Sequence, residues 1–492
     1  MHIYIILFLF LSFSLFSDSN SSNSIIVKYS NPPDDMVVPY KFYLYDYPFN
    51  SKEGSLVTRN GNPVPSMEES LSLAKNINQL AHRGIAYFVN ENMDDFSPYK
   101  KRIAAILSIA TFDLAGGYLP LGTSWLHEEW HRAVMGSRNI SSFDEVYTTS
   151  FGASVISVSH IRDDDLSELK KNHPAEMVRL SSSGMEAQSY MNRELRKDSF
   201  YYGIPAYYDS VIQWMNVTNN IFYMKTCASK DADSETRNAN IREGTNIKKR
   251  DFTGYDCNGY VYDLFRPKEP YEARGIHPSG NGVDRYIKYS DSSNPEYALQ
   301  NYIQYGTFSR HSDLNDMERK YLELQYRLSY INLISPALFN ISGFASINPL
   351  NHKPFYWNFS FAHYLTPFGN SIDLALFYKQ EDLKLLITYH NYSNSNLNLP
   401  GIEIELLRYP LVFYNIQIYL NSTIHIWLQP DKQMFWANSY NPGGLAKIGI
   451  NYPIYKYLEL FIDVSAKTRG WVAGNVYIEK ALEIRTGVNL LF

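Results

Sequence analysis

The chain has 492 residues, with 45 Lys and Arg against 50 Asp and Glu and a formal net charge of −5. That length allows two or three domains, each with its own core, and the absence of any basic run leaves nucleic-acid binding without support. Tyrosine dominates the aromatic residues, 41 against 7 Trp, which suits strands or a membrane boundary where a ring is apolar and its hydroxyl wet.

Residues 1–19 read as a secretory signal: Ile3 to Phe16 is an apolar run, and Ser17 and Ser19 are small residues at a cleavage site. No cysteine follows, so a lipoprotein anchor is not expected. Residues 20–100 form an N-terminal region. Within it, a tyrosine-rich extended stretch covers 36–49, and a helix is predicted from Ser66 to Arg83, opened by a Ser66–Glu69 capping box and closed by Gly84. Residues 101–226 form a helical region. Its stretch 103–122 is nearly long enough to span a bilayer. Asp113 at its centre would cost about 2.5–3.5 kcal/mol there, and Gly116, Gly117 and Pro120 interrupt the run. The expectation is a buried helix behind the next one, with Asp113 either backing a metal-binding histidine or simply capped or solvated.

The next predicted helix, Thr123 to Gly136, carries His127-Glu128-Glu129-Trp130-His131. Residues four apart on a helix sit one turn above each other, so both imidazoles face one side. Trp125, Leu126, Trp130, Ala133 and Val134 leave little of this helix suited to water. Two histidines and a carboxylate among them need a partner, and a metal ion is the simplest one. The alternative is a solvated face with two incidental histidines.

This HExxH pattern resembles the zincin metallopeptidases. The resemblance implies zinc held by His127 and His131, with Glu128 as general base toward a metal-bound water and a peptide as substrate. In the gluzincin branch the third ligand is a Glu on a later helix. A helix predicted over Ala175–Lys197 carries Glu186, which resembles that ligand by position, beside Gly184, which would let another helix approach closely. An exposed helical Glu is the alternative. The metzincin pattern fails, since Val134 and Ser137 stand where its glycine and third histidine belong. The Asp-Gly motif of site-2-type proteases is also missing, leaving Asp209 as a weak substitute and His160 and His173 as remote options.

Residues 148–160 suit a strand or a short helix. Residues 227–312 form a loop-rich insertion whose Cys227 and Cys257, the only cysteines, either join in an oxidising compartment or stay as two thiols. Over residues 313–492 the texture changes to period two, beginning with Leu322, Leu324, Tyr326, Leu328 and Tyr330 and ending on Val488, Leu490 and Phe492. Alternating strands of about ten residues are the signature of a membrane β-barrel. A terminal strand ending in Phe resembles the C-terminal signal of bacterial outer-membrane barrels.

The sequence therefore predicts an α+β chain: an N-terminal helical zincin-like region, then a C-terminal antiparallel β-barrel of about 8–10 strands, with a β-sandwich as the alternative. The expected function is a zinc-dependent peptide hydrolase of the bacterial outer membrane, using zinc as cofactor, lipid and a peptide or protein as partners, and no nucleic acid. A periplasmic location is the alternative address. The rival class is a non-enzymatic outer-membrane barrel for transport, adhesion or assembly, with the histidine helix as a structural or metal-binding plug.

Overall fold

The computed structural model describes residues 38–49, 64–93, 95–117, 119–147, 156–159, 161, 163–235, 254–271, 311–414 and 416–492. The leader at 1–19, most of 148–160 with His160, and much of the 227–312 insertion lie outside these residues.

Strand β1 (Pro39–Tyr47) opens the described chain. Helix α1 (Met67–Asn92) follows behind the Ser66–Glu69 capping box. It runs past Gly84, because His82, Ala86 and Val89 continue one buried face and an interior glycine costs only about 1 kcal/mol. Helices α2 (Pro98–Gly116) and α3 (Thr123–Gly136) come next, and α3 is buried along nearly its whole length. A two-stranded pair, β2 (Phe143–Asp144) with β3 (Val158–Ser159), leads to α4 (Asp163–Asn172), α5 (Pro174–Tyr202) and α6 (Ala206–Cys227). Within the insertion lies α7 (Asp256–Phe265), and α8 covers Asp316–Ser329.

That last helix corrects the sequence expectation of a first barrel strand near 320–330. Its buried residues Glu318, Leu322, Gln325 and Ser329 follow helical spacing, and Asn315 with Glu318 closes a capping box. The apolar alternation there belongs partly to exposed residues such as Leu324.

Nine strands, β4 (Phe344–Ile347) through β12 (Ala481–Leu491), then form an antiparallel meander, and β1 joins β12 to make a sheet of ten. Its strands alternate as expected, with an inverted burial pattern. On β8 (Asn398–Phe413), Ile402 and Ile404 are exposed while Glu403 and Glu405 are buried; on β9 (Ile416–Pro430), Ile424 and Ile426 are exposed while His425 is buried. The buried charges meet counter-charges. Arg193 of α5 pairs with Glu403 at 2.8 Å and with Glu405, and Arg485 of β12 pairs with Asp46 at 2.9 Å.

The sheet is open, with β1 and β4 as its edges, so closure into a barrel is not seen among the described residues. Val38 exchanges both backbone bonds with Phe492, which turns the carbonyl of Lys41, three residues on, to the outer edge. There it accepts from the side chains of Ser72 and Asn76 on α1, the latter at 2.6 Å. A helix thus occupies the edge that β4 would need to close the sheet. Nor is there a second large sheet among the described residues for a sandwich to use.

No helix among the described residues is long and apolar enough to cross a membrane. Helix α2 packs on α1 and α6 rather than behind α3. Its Asp113 does not approach the α3 histidines: Asp113 Oδ1 lies 2.6 Å from His82 Nε2, while Asp209 Oδ1 lies 2.9 Å from His82 Nδ1. Burial opposes a charged imidazole here, but Asp113 and then Asp209 push His82 up from 6.5 to about 10. A folded pKa above the unfolded one stabilises fully below about pH 6.5, and that gain is lost as pH rises through 10. Replacing His82 by Gln should cost about 3 kcal/mol at neutral pH, as for a broken buried pair. Melting curves between pH 7 and 10 should also fall more steeply in the wild type than in this variant; parallel curves would show that His82 carries no such charge.

Candidate metal centre

Helix α3 starts where Gly122 lets the chain turn tightly: a Cβ there would sit 2.1 Å from the carbonyl of Gly116. From that start, His127 and His131 fall one turn apart on the side facing α5 and α7, with ring centroids 4.9 Å from each other. Asp256, the first residue of α7, completes the group. Its Oδ2 lies 3.2 Å from His127 Nε2 and 3.3 Å from His131 Nε2. One ligand atom from each of the three residues falls within 4.8 Å of the others, so the group could hold a metal ion.

The surroundings orient each ligand. His131 Nδ1 donates to the carbonyl of Leu180 on α5, with Ser183 Oγ 3.2 Å away. With its proton on Nδ1, the ring presents the Nε2 lone pair to the group. That Nε2 is buried and has no partner aligned for a hydrogen bond, the condition a metal would relieve. The His127 ring lies against Gly184, where a Cβ would stand 2.3 Å from its Cδ2 and Nε2. Tyr223 of α6 donates its hydroxyl to Asp256 Oδ2 and accepts from the Asp256 N–H, both at 3.1 Å.

Charge follows geometry. Burial raises Asp256, but the imidazoles of His131 and His127 outweigh it and hold the carboxyl below its usual range. His127 is lowered, chiefly by burial; His131 is raised, because Asp256 overcomes the same burial. Glu128, buried next to His127, is raised well above its ordinary value by burial and then by Asp256 and Asp144. It makes no hydrogen bond with the described residues. The site opens on one side: the Asp256 side chain is 28% exposed, against 11% for His127 and 7% for His131.

Of the residues singled out from sequence, His127, Glu128 and His131 therefore come together, and Glu186 stands apart. It is fully buried on α5, with Oε1 2.8 Å from Arg179 Nη2 and accepting from the Gly474 N–H at 2.9 Å. Its Oε2 receives Arg179 Nε at 3.3 Å and Trp471 Nε1 at 3.4 Å. The carboxylate beside the histidines is Asp256 instead, which the loop-rich texture of 227–312 concealed. A signal was present: Asp256 precedes Cys257 and the helically spaced Tyr260, Val261 and Leu264, an acidic start to a short buried helix. Asp209 serves His82, and His173 sits at the start of α5, outside the group.

Comparison with known protein families, with curated proteins and with solved structures finds no match.

A Gly184→Ala change should displace the His127 ring. Overpacking of this kind costs about 1–3 kcal/mol, and misplacing a ligand should weaken metal binding about 10–100-fold. A metal titration of the variant checks this; wild-type affinity would mean that the ring moves aside freely.

Proposed function

We propose that the protein is a zinc-dependent peptide hydrolase set in the bacterial outer membrane. The observation that carries the chemistry is the convergence of His127, His131 and Asp256 beside Glu128, a buried carboxylate that no described residue engages. Imidazole and carboxylate donors suit zinc, and three protein ligands leave a position free for substrate or water. When bound, zinc supplies a Lewis acid that polarises a carbonyl and acidifies water. Glu128, the chain neighbour of His127, then acts as general base, taking a proton from the attacking water and returning it to the leaving amine. The Leu180 carbonyl and Ser183 hold His131, and Tyr223 holds Asp256, so the ligands are oriented before substrate arrives. Peptide bonds are the substrate class that the HExxH resemblance implies.

The inverted sheet supports the membrane address. Its outer face exposes Ile402, Ile404, Ile424, Ile426, Ile448 and Ile462, and full burial of each such side chain is worth about 1.5–3 kcal/mol. Exposed aromatics flank this band at both strand ends: Tyr414, Tyr455 and Tyr457 at one, Trp436 and Tyr440 at the other. That is the placement expected of rings at a membrane–water interface.

The purified protein should contain one zinc per chain, and His127→Ala or His131→Ala should abolish it. Glu128→Gln should keep the metal and lose peptide hydrolysis. Glu186→Gln should also keep the metal, its cost appearing in stability because Arg179 loses its counter-charge. Zinc-free wild-type protein would favour the plug reading, in which α5 fills the sheet through Arg193 and Lys197.

For location, the protein should leave the membrane fraction only with detergent. Release by alkaline carbonate alone would end the membrane assignment and point to the periplasm.

A further inference from the structure

The residue that completes the metal group is the chain neighbour of a cystine. Cys227 ends α6, Cys257 follows Asp256 directly, and the two are disulfide-bonded with Cα atoms 6.1 Å apart across a sequence separation of 30. One turn before Cys227, Tyr223 makes its two hydrogen bonds to Asp256. The first turn of α7 is therefore tied to the last turn of α6 twice, once by a covalent bond and once through Asp256 itself. The rest of α7 is held independently: Tyr260, Val261 and Leu264 are buried in a core shared with α6 and α8. Both histidines come from α3, whose place does not depend on the cystine. Losing the disulfide would thus loosen one ligand and leave the other two.

We propose that the Cys227–Cys257 disulfide is a latch for the metal group: it sets Asp256 as the third ligand, so that the site is completed only after the chain has met a thiol-oxidising environment. This rests on the reading of His127, His131 and Asp256 as metal ligands. Closing the latch joins the two sulfurs and gives up two electrons and two protons, which the disulfide of a thiol oxidant accepts by exchange; a dithiol reductant reverses the step. Reduced, Asp256 keeps its hydrogen bonds to Tyr223 and its contacts with the two imidazoles but loses the covalent tie to α6, and its carboxylate must be ordered again each time metal binds. Groups that orient ligands in this way change metal affinity about 10–100-fold when removed. The arrangement gives an exported enzyme a reason to stay metal-poor while its thiols are reduced.

The test is zinc affinity of the full-length protein, read by competition with a chromophoric chelator. Three forms are compared: oxidised protein, protein reduced with a phosphine, and the Cys227→Ser/Cys257→Ser variant, with circular dichroism to follow the fold. The reduced and the serine forms should bind zinc about 10–100-fold more weakly than the oxidised one. They should also agree with each other, which rules out the free thiols as ligands. In an Asp256→Asn background, breaking the disulfide should change the affinity no further, because the latch acts through that carboxylate. Equal affinity in all three forms overturns the latch, as does an unchanged loss in the Asp256→Asn background, which would mark a general structural role. An oxidised wild type that takes up no zinc overturns the metal reading and the latch with it. Should the serine variant fail to fold, reduction of the already folded protein carries the same comparison.

Discussion

One turn of α5, Leu180 to Gly184, is what the metal group depends on. Gly184 has no side chain, so α3 can approach until the His127 ring fills the space a Cβ would take. The Leu180 carbonyl of the same turn receives His131, and Ser183 lies beside it. Two histidines on one helix face are thus aimed by a single turn of another. A larger residue at 184 would push the rings apart, and a misplaced carbonyl would leave the His131 tautomer unspecified.

The same helix ties the centre to the sheet. Just below the site, Glu186 is clamped between Arg179 and the backbone N–H of Gly474, and Arg179 also donates to the Asn475 carbonyl. Further along, Arg193 and Lys197 reach Glu403 and Glu405 on β8. Pairs buried this deeply contribute little net stability, yet removing one partner costs about 3–5 kcal/mol. Their effect is to penalise any other placement of α5 on the sheet. The sheet itself joins the two ends of the described chain, since β1 pairs with β12 in register from Pro39 opposite Leu491. Along β8 and β9, Glu403, Glu405 and His425 are buried while the isoleucines beside them are exposed, although elsewhere Phe377 and Leu386 pack on Phe200 and Tyr201 of α5.

How much of this was legible in the sequence follows the range of the interactions involved. The spacing of His127, Glu128 and His131 is local, so helix geometry alone predicts that the histidines share a face, and they do. The capping box at Ser66 and Glu69 is equally local. Strand alternation from residue 355 onward is a property of neighbours two apart, and the meander bears it out. Near 320–330 the period-two reading fails, because Leu322 fits both periods and only packing decides that Glu318, Gln325 and Ser329 face inward along a helix.

By itself the sequence determined the elements whose signals lie within one or two turns: an HExxH helix, alternating strands, and a mixed α+β chain. Tertiary structure alone decided that Asp256 rather than Glu186 stands beside the histidines, since that choice needs α7 brought against α3 across more than a hundred intervening residues. It also decided that Asp113 and Asp209 share His82, and that α1 lies along the outer edge of β1. The physical reason is the same in each case. A carboxylate's role is set by the charge or donor it meets on burial, and no spacing along the chain records which one that will be.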